Sequence, residues 1–300
     1  MKFLKLLGIV SLSLICIVII IVFEIQGWPV GSSIAGIILG ISVPALFISF
    51  QDLADNTNWK SSLRKLKRGG FIKDSTIIRI SFAYLYRIKV GDKYLLVKNK
   101  RNTGKYQPVG GVYKFQKKEK MELKNLFHVK DDNKIALDES SRDDYRLRIE
   151  SKYLRKFVQR FNKSISYRER IDNVGREFKE ELLETGIIDW EKITYRYCGR
   201  YITDLRFEEH FQIYELQLFD IVELIPTSEQ EQTLRELIKH ERKRGQYRFA
   251  TANQITCLGI NTEEGELNEW IGDHTILTLQ ENESKLVMMP CVGKLYNVDL

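Results

Sequence analysis

The sequence holds little cysteine and little histidine, four of each in 300 residues, and both are scattered. Cys16, Cys198, Cys257 and Cys291 form no C-x-x-C pair, and His128, His210, His240 and His274 lie at no ligand spacing. That excludes a disulfide framework and a zinc site, and it predicts reduced thiols in the cytosol. Internal repeats and low-complexity tracts are also absent, which excludes solenoid arrays and compositionally biased tails. No long apolar run occurs after Phe50, so nothing beyond that point is long enough to cross a bilayer as a helix.

What is present begins with two uncharged apolar stretches, residues 6–23 and 28–50, separated only by residues 24–27. Each suffices to cross a hydrocarbon core about 30 Å thick at about 1.5 Å per helical residue. A cleaved signal peptide is the competing reading of the first stretch, since Lys2 and Lys5 make a short basic lead. Its apolar run exceeds the usual ~7–15 residues, and no small-x-small site precedes Glu24. Lys2 and Lys5 flank the pair on one side and Lys60, Arg64, Lys65, Lys67 and Arg68 on the other, while the turn carries only Glu24. Positive flanks stay inside, so both termini are expected in the cytoplasm of a two-helix, multi-pass membrane protein. The basic stretch after the hairpin can also rest on anionic headgroups, at ~1 kcal/mol per residue. Ser32, Gly36 and Gly40 recur every four residues and Pro44 continues their register. Such a stripe lets another helix approach closely. It serves either packing against the first span or oligomerisation, and both readings stay open. The organisation expected is a hairpin over 1–59, a basic linker over 60–74 and a body over 75–300.

The formal charge is +7, and the first 59 residues supply two lysines against Glu24, Asp52 and Asp55, so the remainder carries +8. This balance suits anionic lipid or a phosphate-bearing ligand without choosing between them. Alternating residues 76–86 predict a strand, 90–93 a tight turn and 94–97 the returning strand. A polar loop over 99–104 leads to the glycine pair Gly110 and Gly111. Residues 143–161 have helical spacing, with Leu147, Leu154, Phe157, Val158 and Phe161 as the apolar set. A second helix is expected over 174–185, stopped by Gly186. Strands follow at 192–202 and 211–224. Ser228 with Glu231 suggests a capping box opening a helix to Arg244, ended by Gly245. Strands and helices mixed in this way predict an α/β or α+β body with one core.

The chemically loaded segment is REFKEE, from Arg176 to Glu181. On a helix Glu177, Glu180 and Glu181 fall at i, i+3 and i+4, so three carboxylates share a face. Like charges so clustered need a cation, and hard oxygen donors suit Mg²⁺ or Mn²⁺. The plainer reading is a solvated helix face with Arg176 and Lys179 as its partners.

A hairpin, then the glycine pair, then a helix bearing REFKEE and ending at Gly186 resembles the Nudix family. The resemblance covers about 75–279 and implies a mixed-sheet α/β/α domain. It implies Glu177, Glu180 and Glu181 as metal ligands and, if the domain is active, as the catalytic residues. Arg176 would orient them, and Gly110, Gly111 and Arg176 would contact a nucleotide. The residues 249–255 stand where the family often has a short element before its last helix. The sequence departs from the family pattern in three places. An insertion over about 116–170 separates Gly111 from the helix, Arg168 falls where the box has its first glutamate with Glu169 adjacent, and 182–185 add about one turn before Gly186. A rival register puts Lys179 and Glu180 at the R-E position and then has Leu183 at a ligand position.

Fused to a membrane hairpin, the domain is similar to the two-transmembrane NUDIX proteins associated with CD-NTases, the cyclic-oligonucleotide synthases of CBASS anti-phage defence. That likeness implies an effector of the bacterial inner membrane that recognises a nucleotide second messenger and acts as a homo-oligomer on the lipid bilayer, with no direct nucleic-acid partner. Three readings follow: a sensor whose ligand reorganises the hairpins to damage the membrane, an anchored Mg²⁺-dependent hydrolase of a nucleoside diphosphate derivative, and a ligand-free scaffold. The small-residue stripe and the altered box favour the first, and the intact REFKEE favours the second.

Overall fold

The computed structural model describes residues 2–53, 59–100, 104–135, 141–163, 165, 167–242, 245–260, 269–287 and 289–300. It divides into two compact units, Met1–Ser62 and Leu63–Leu300.

The first unit is a helical hairpin of α1 (Lys2–Ile25) and α2 (Pro29–Leu53), with Gly27 at φ +70° in the turn, a left-handed conformation that glycine adopts without penalty. Two windows, Leu7–Ile25 and Pro29–Leu46, are long and apolar enough to cross a membrane. The helices meet through small residues. Cys16 and Ala35 are buried, and the hydroxyls of Ser13 and Ser42 hydrogen-bond across the seam at 2.9 Å. A Cβ on Gly31 would lie 2.4 Å from the Phe23 ring. The seam on α2 therefore runs through Gly31, Ala35 and Ser42. A Cβ on Gly36 or Gly40 would meet nothing within 4 Å, so these two glycines do not pack against the first span.

In the order of the chain, α3 (Trp59–Arg68) buries Trp59 and Leu63 and exposes Lys60, Arg64, Lys65 and Arg68. Strands β1 (Ile77–Arg87), β2 (Lys89–Val90), β3 (Lys93–Lys98), β4 (Tyr106–Gln107) and β5 (Gly110–Val112) follow. Next come α4 (Lys117–Phe127), β6 (Lys130–Asp131), β7 (Arg146–Glu150) and α5 (Leu154–Asn162). The REFKEE segment forms α6 (Gly175–Phe178), continued by a π-helical turn over Lys179–Leu183. Strands β8 (Lys192–Ile202), β9 (Arg206–Glu208) and β10 (Ile213–Leu224) precede α7 (Ser228–Lys239), β11 (Tyr247–Thr251) and α8 (Ala252–Thr256). Two 3-10 segments, Asp273–Thr278 and Gln280–Lys285, lead to β12 (Leu295–Asp299).

The main sheet runs β12-β8-β10-β1-β7-β6, with β5 also on β1 and β9 on β10; β1 and β10 are parallel and their other pairings antiparallel. A smaller sheet runs β11-β3-β2, with β4 on β3. As Ile/Tyr-rich central strands do when covered on both sides, β1 is buried from Ile78 onward. On one face Phe82 meets Phe157 and Phe161 of α5 at 5.8 and 4.6 Å, and Tyr86 meets Phe178 of α6 at 5.2 Å. Burying Leu154, Phe157, Val158 and Phe161 contributes ~1.5–3 kcal/mol apiece, and Phe161→Ala would cost ~3–5 kcal/mol. On the other face Arg87, fully buried, donates to the carbonyls of Thr278 (2.5 Å) and Leu279 (3.2 Å) and pairs with Glu283, which ties down both 3-10 segments.

The structure differs from the sequence reading in three places, one strand and the two ends of one helix. Residues 143–161 are not one helix: Arg146–Glu150 is a strand paired to β1 and β6, and helix begins only at Leu154. Leu147 fits a helical series with Leu154, but it also alternates with Ile149, and the open side of β1 selects the period of two. The insertion over 116–170 thus supplies two strands, β6 and β7, and two helices, α4 and α5. The cap of α7 is Thr227 with Gln230, one residue ahead of Ser228 and Glu231. That helix stops at Lys239; Arg244, its expected end, and 101–103 of the polar loop lie outside the described residues. Strand β11 and helix α8 occupy 249–255, with a second capping box at Thr251 and Gln254.

Candidate functional site

The carboxylate face is built where α6 crosses the end of β5. Glu184 N–H donates to Lys179 O at 3.0 Å, the i to i+5 bond of the π-turn, and Gly186 closes the element at φ +71°. An extra residue within a helix is commonly absorbed in such a turn, often at a functional site. Arg176 organises the face. Its Nε donates to Glu169 at 2.6 Å, its Nη1 to Glu177 at 2.7 Å and to Glu180 at 3.4 Å, and its Nη2 to the Val112 carbonyl at 2.9 Å. Glu169, not Arg168, therefore supplies the carboxylate next to Arg176. Arg168 turns away, donating to the carbonyls of Glu169 and Phe161 at 2.5 Å each.

Both glycines of β5 lie at close approaches, Gly110 to backbone and Gly111 to a side chain. A Cβ on Gly111 would lie 1.9 Å from Glu177 Oε1, and one on Gly110, which sits at φ +151°, would lie 2.3 Å from the Tyr84 carbonyl. The Gly110 N–H, on the free edge of β5, donates to Glu181 Oε2 at 3.0 Å. Structure thus brings together Gly110, Gly111, Arg176, Glu177, Glu180 and Glu181.

Electrostatics divide the three glutamates. Burial, then the neighbouring Glu177 charge, pushes Glu181 up to about 8, against which the Gly110 N–H works. Burial also raises Glu177, with Arg176 opposing and Glu180 adding to the shift. Glu180 lies between Arg176 and Lys100, whose Nζ is 3.7 Å away. Nudix domains usually use divalent metals, and Glu181 is a carboxylate short of positive charge, as a metal ligand without its ion is. The arrangement does not fit a preformed site, however. Arg176 already holds Glu177 and Glu180, and among the described residues no three His, Cys, Asp or Glu side chains are placed to hold an ion.

A cavity of about 450 Å³ abuts the same glycine strand. The register of β1 on β10 sets Ser81 beside Gln217 and Ala83 beside Phe219, and all four line it. The two small side chains leave open the volume that Phe82 and Tyr84 fill on the other face. Phe219 stands edge-to-face with His274 at 4.9 Å. The cavity's cations are already paired: Arg79 with Asp132 (2.8 Å) and Glu215, Lys105 with Glu269 (2.7 Å), Arg146 with Asp144 (3.2 Å). Asn99 also lines a second cavity, of about 350 Å³, which includes Lys100, Glu181 and Thr185. None of these lining residues besides the glycines and Glu181 was legible as a site in the sequence. The available signal was the alternation of large and small in Ile80, Ser81, Phe82, Ala83 and Tyr84, which marks a strand with one face kept open.

A mixed sheet whose glycine strand seats a glutamate-bearing helix defines a Nudix-type domain. The chain belongs to the SMODS-associated NUDIX family, whose model matches residues 77–279, from the start of β1 through the 3-10 segment bearing His274. No curated protein and no solved structure matches it.

Proposed function

We propose that this protein is the membrane effector of a CBASS-type defence system, with the Nudix-type domain as its sensor. A nucleotide second messenger made by an associated CD-NTase binds the domain, and the hairpins of several copies then reorganise and breach the inner membrane. The observation that carries the reading is the cavity against β5, whose volume falls within the ~300–1,000 Å³ typical of small-molecule sites and whose walls combine aromatic rings with many polar and charged side chains. Family membership supports it through the association that the family's name implies, and the two apolar helices support the membrane role. The outward Gly36 and Gly40 offer a surface for contact between copies. Both termini lie in the cytoplasm on this reading. The test is a panel of cyclic di- and trinucleotides offered to the full chain in detergent and then in dye-loaded proteoliposomes. One member should raise the unfolding temperature and release dye; a panel with neither effect refutes the reading.

A hydrolase reading is favoured by one observation, the buried Glu181 carboxyl, raised by burial and by the neighbouring Glu177 charge. Mg²⁺ or Mn²⁺ on Glu177, Glu180 and Glu181 would require Arg176 to give up two of them. Glu180 and Glu181 replaced together by Gln should spare ligand-triggered leakage in a sensor. Loss of leakage together with loss of Mg²⁺-dependent nucleotide cleavage would favour the hydrolase.

A further inference from the structure

The chemistry of the cavity says which part of a nucleotide it can take. A phosphate buried there would need an unpaired cation or a row of free donors, because an uncompensated buried charge is strongly unfavourable. The cations at its wall, Arg79, Lys105 and Arg146, each already face a carboxylate. His274 is exposed at the edge of this wall, and local desolvation shifts its pKa down rather than up, so it supplies no fixed charge near pH 7. What the wall does offer is an aromatic corner. Phe219 and His274 meet edge-to-face, and Ala83, level with Phe219 in the register, leaves space beside the ring.

One polar group in this wall is unsatisfied. Thr275 is 0% exposed and lines the cavity, yet its Oγ1 has no hydrogen-bond partner among the described residues. Its neighbour Thr278 shows that the local backbone can satisfy a hydroxyl, donating to the Thr275 carbonyl at 2.7 Å. Buried hydroxyls are normally partnered, so the one at Thr275 has hydrogen-bonding capacity to spare in this wall.

Resting on the sensor reading, we infer that the cavity admits the uncharged heteroaromatic base of the nucleotide and leaves its phosphates outside, with the Thr275 hydroxyl reading the polar edge of the base. The ring packs against Phe219 and His274, and Thr275 is the specificity-determining contact. The hydroxyl both donates and accepts, so it selects among bases through what the ring presents to it.

The test titrates the full chain in detergent with AMP, GMP, CMP and UMP and with inorganic pyrophosphate, for wild type, Thr275→Val and Thr275→Ser. One monophosphate should bind best and pyrophosphate should not compete with it. Thr275→Val should weaken that monophosphate about tenfold while holding or raising the unfolding temperature, because it removes an unpartnered buried hydroxyl. Thr275→Ser, which keeps the hydroxyl, should stay within about threefold of wild type. Equal competition by pyrophosphate, or a Thr275→Val protein with all four affinities unchanged, overturns the inference. So does binding of a cyclic nucleotide with no monophosphate bound at millimolar concentration. Binding of no nucleotide of any kind removes the sensor reading itself, a separate outcome.

Discussion

Glu181→Gln isolates the ionisation of one buried carboxylate. Glu181 is 5% exposed, and burial beside Glu177 lifts it from its ordinary 4.5 to about 8. Below the lower value both folded and unfolded chains carry the proton, and ionisation costs the fold nothing. Between the two values the unfolded chain releases a proton that the folded chain keeps, so stability falls as pH rises, and the loss is complete above about 8. At ~1.36 kcal/mol per pKa unit, the wild type at pH 8 has forgone about 4 kcal/mol relative to pH 4. Gln keeps the size and the acceptor for the Gly110 N–H and does not ionise. The substitution should therefore be nearly neutral at pH 5 and strongly stabilising at pH 8. For a unit of this size ~2–4 °C accompany each kcal/mol, so the two melting curves should part by on the order of 10 °C. The assay is thermal unfolding of the detergent-solubilised chain, followed by near-UV circular dichroism from pH 5 to 8.5. Melting temperatures of the two proteins that run parallel across that range would refute the argument. Millimolar Mg²⁺ adds a second reading: if an ion can bind Glu181, it should stabilise wild type at pH 8 and leave Glu181→Gln unmoved.

Gly36→Leu should leave the hairpin intact, because a Cβ there meets nothing within 4 Å, and should abolish close packing between copies in membranes; cross-linking unchanged from wild type would show that the stripe has no such role. Gly111→Ala puts a methyl 1.9 Å from Glu177 Oε1 and must push Glu177 off Arg176, a loss of ~1–3 kcal/mol visible as a lower denaturant midpoint, and an unchanged midpoint would contradict the close approach. A tag in the turn over 24–27 should be reachable from outside spheroplasts and one after Leu300 only after lysis; the reverse pattern would invert the topology argued from flanking charge.

Local signals carried much of the framework. Residues 192–202 alternate in a strand and form one with those bounds, and the turn at Gly91 returns the chain as expected. Gly186 ends the REFKEE element in a left-handed conformation, and Glu177, Glu180 and Glu181 do gather at one site. Misreadings occurred where two periods fit the same residues. Leu147 belongs to a helical and to an alternating series, and only the vacant edge of β1 beside it decides. The cap at Thr227 was displaced by one residue for a similar reason, since adjacent Thr227 and Ser228 both have a glutamine or glutamate three places on.

The sequence by itself determined two apolar helices joined by a short turn, a basic body and a carboxylate-rich helix, because each depends on neighbours within about one helical turn or one strand. Only the tertiary structure decided that Gly36 and Gly40 face away from α1, that Glu169 rather than Arg168 sits beside Arg176, and that Ser81, Phe219, His274 and Thr275 share one cavity. Those three facts rest on pairings between segments as far apart as β1 and the segment Asp273–Thr278. No local periodicity encodes them; they are fixed by the register of the sheet and by which side chains must be buried against it.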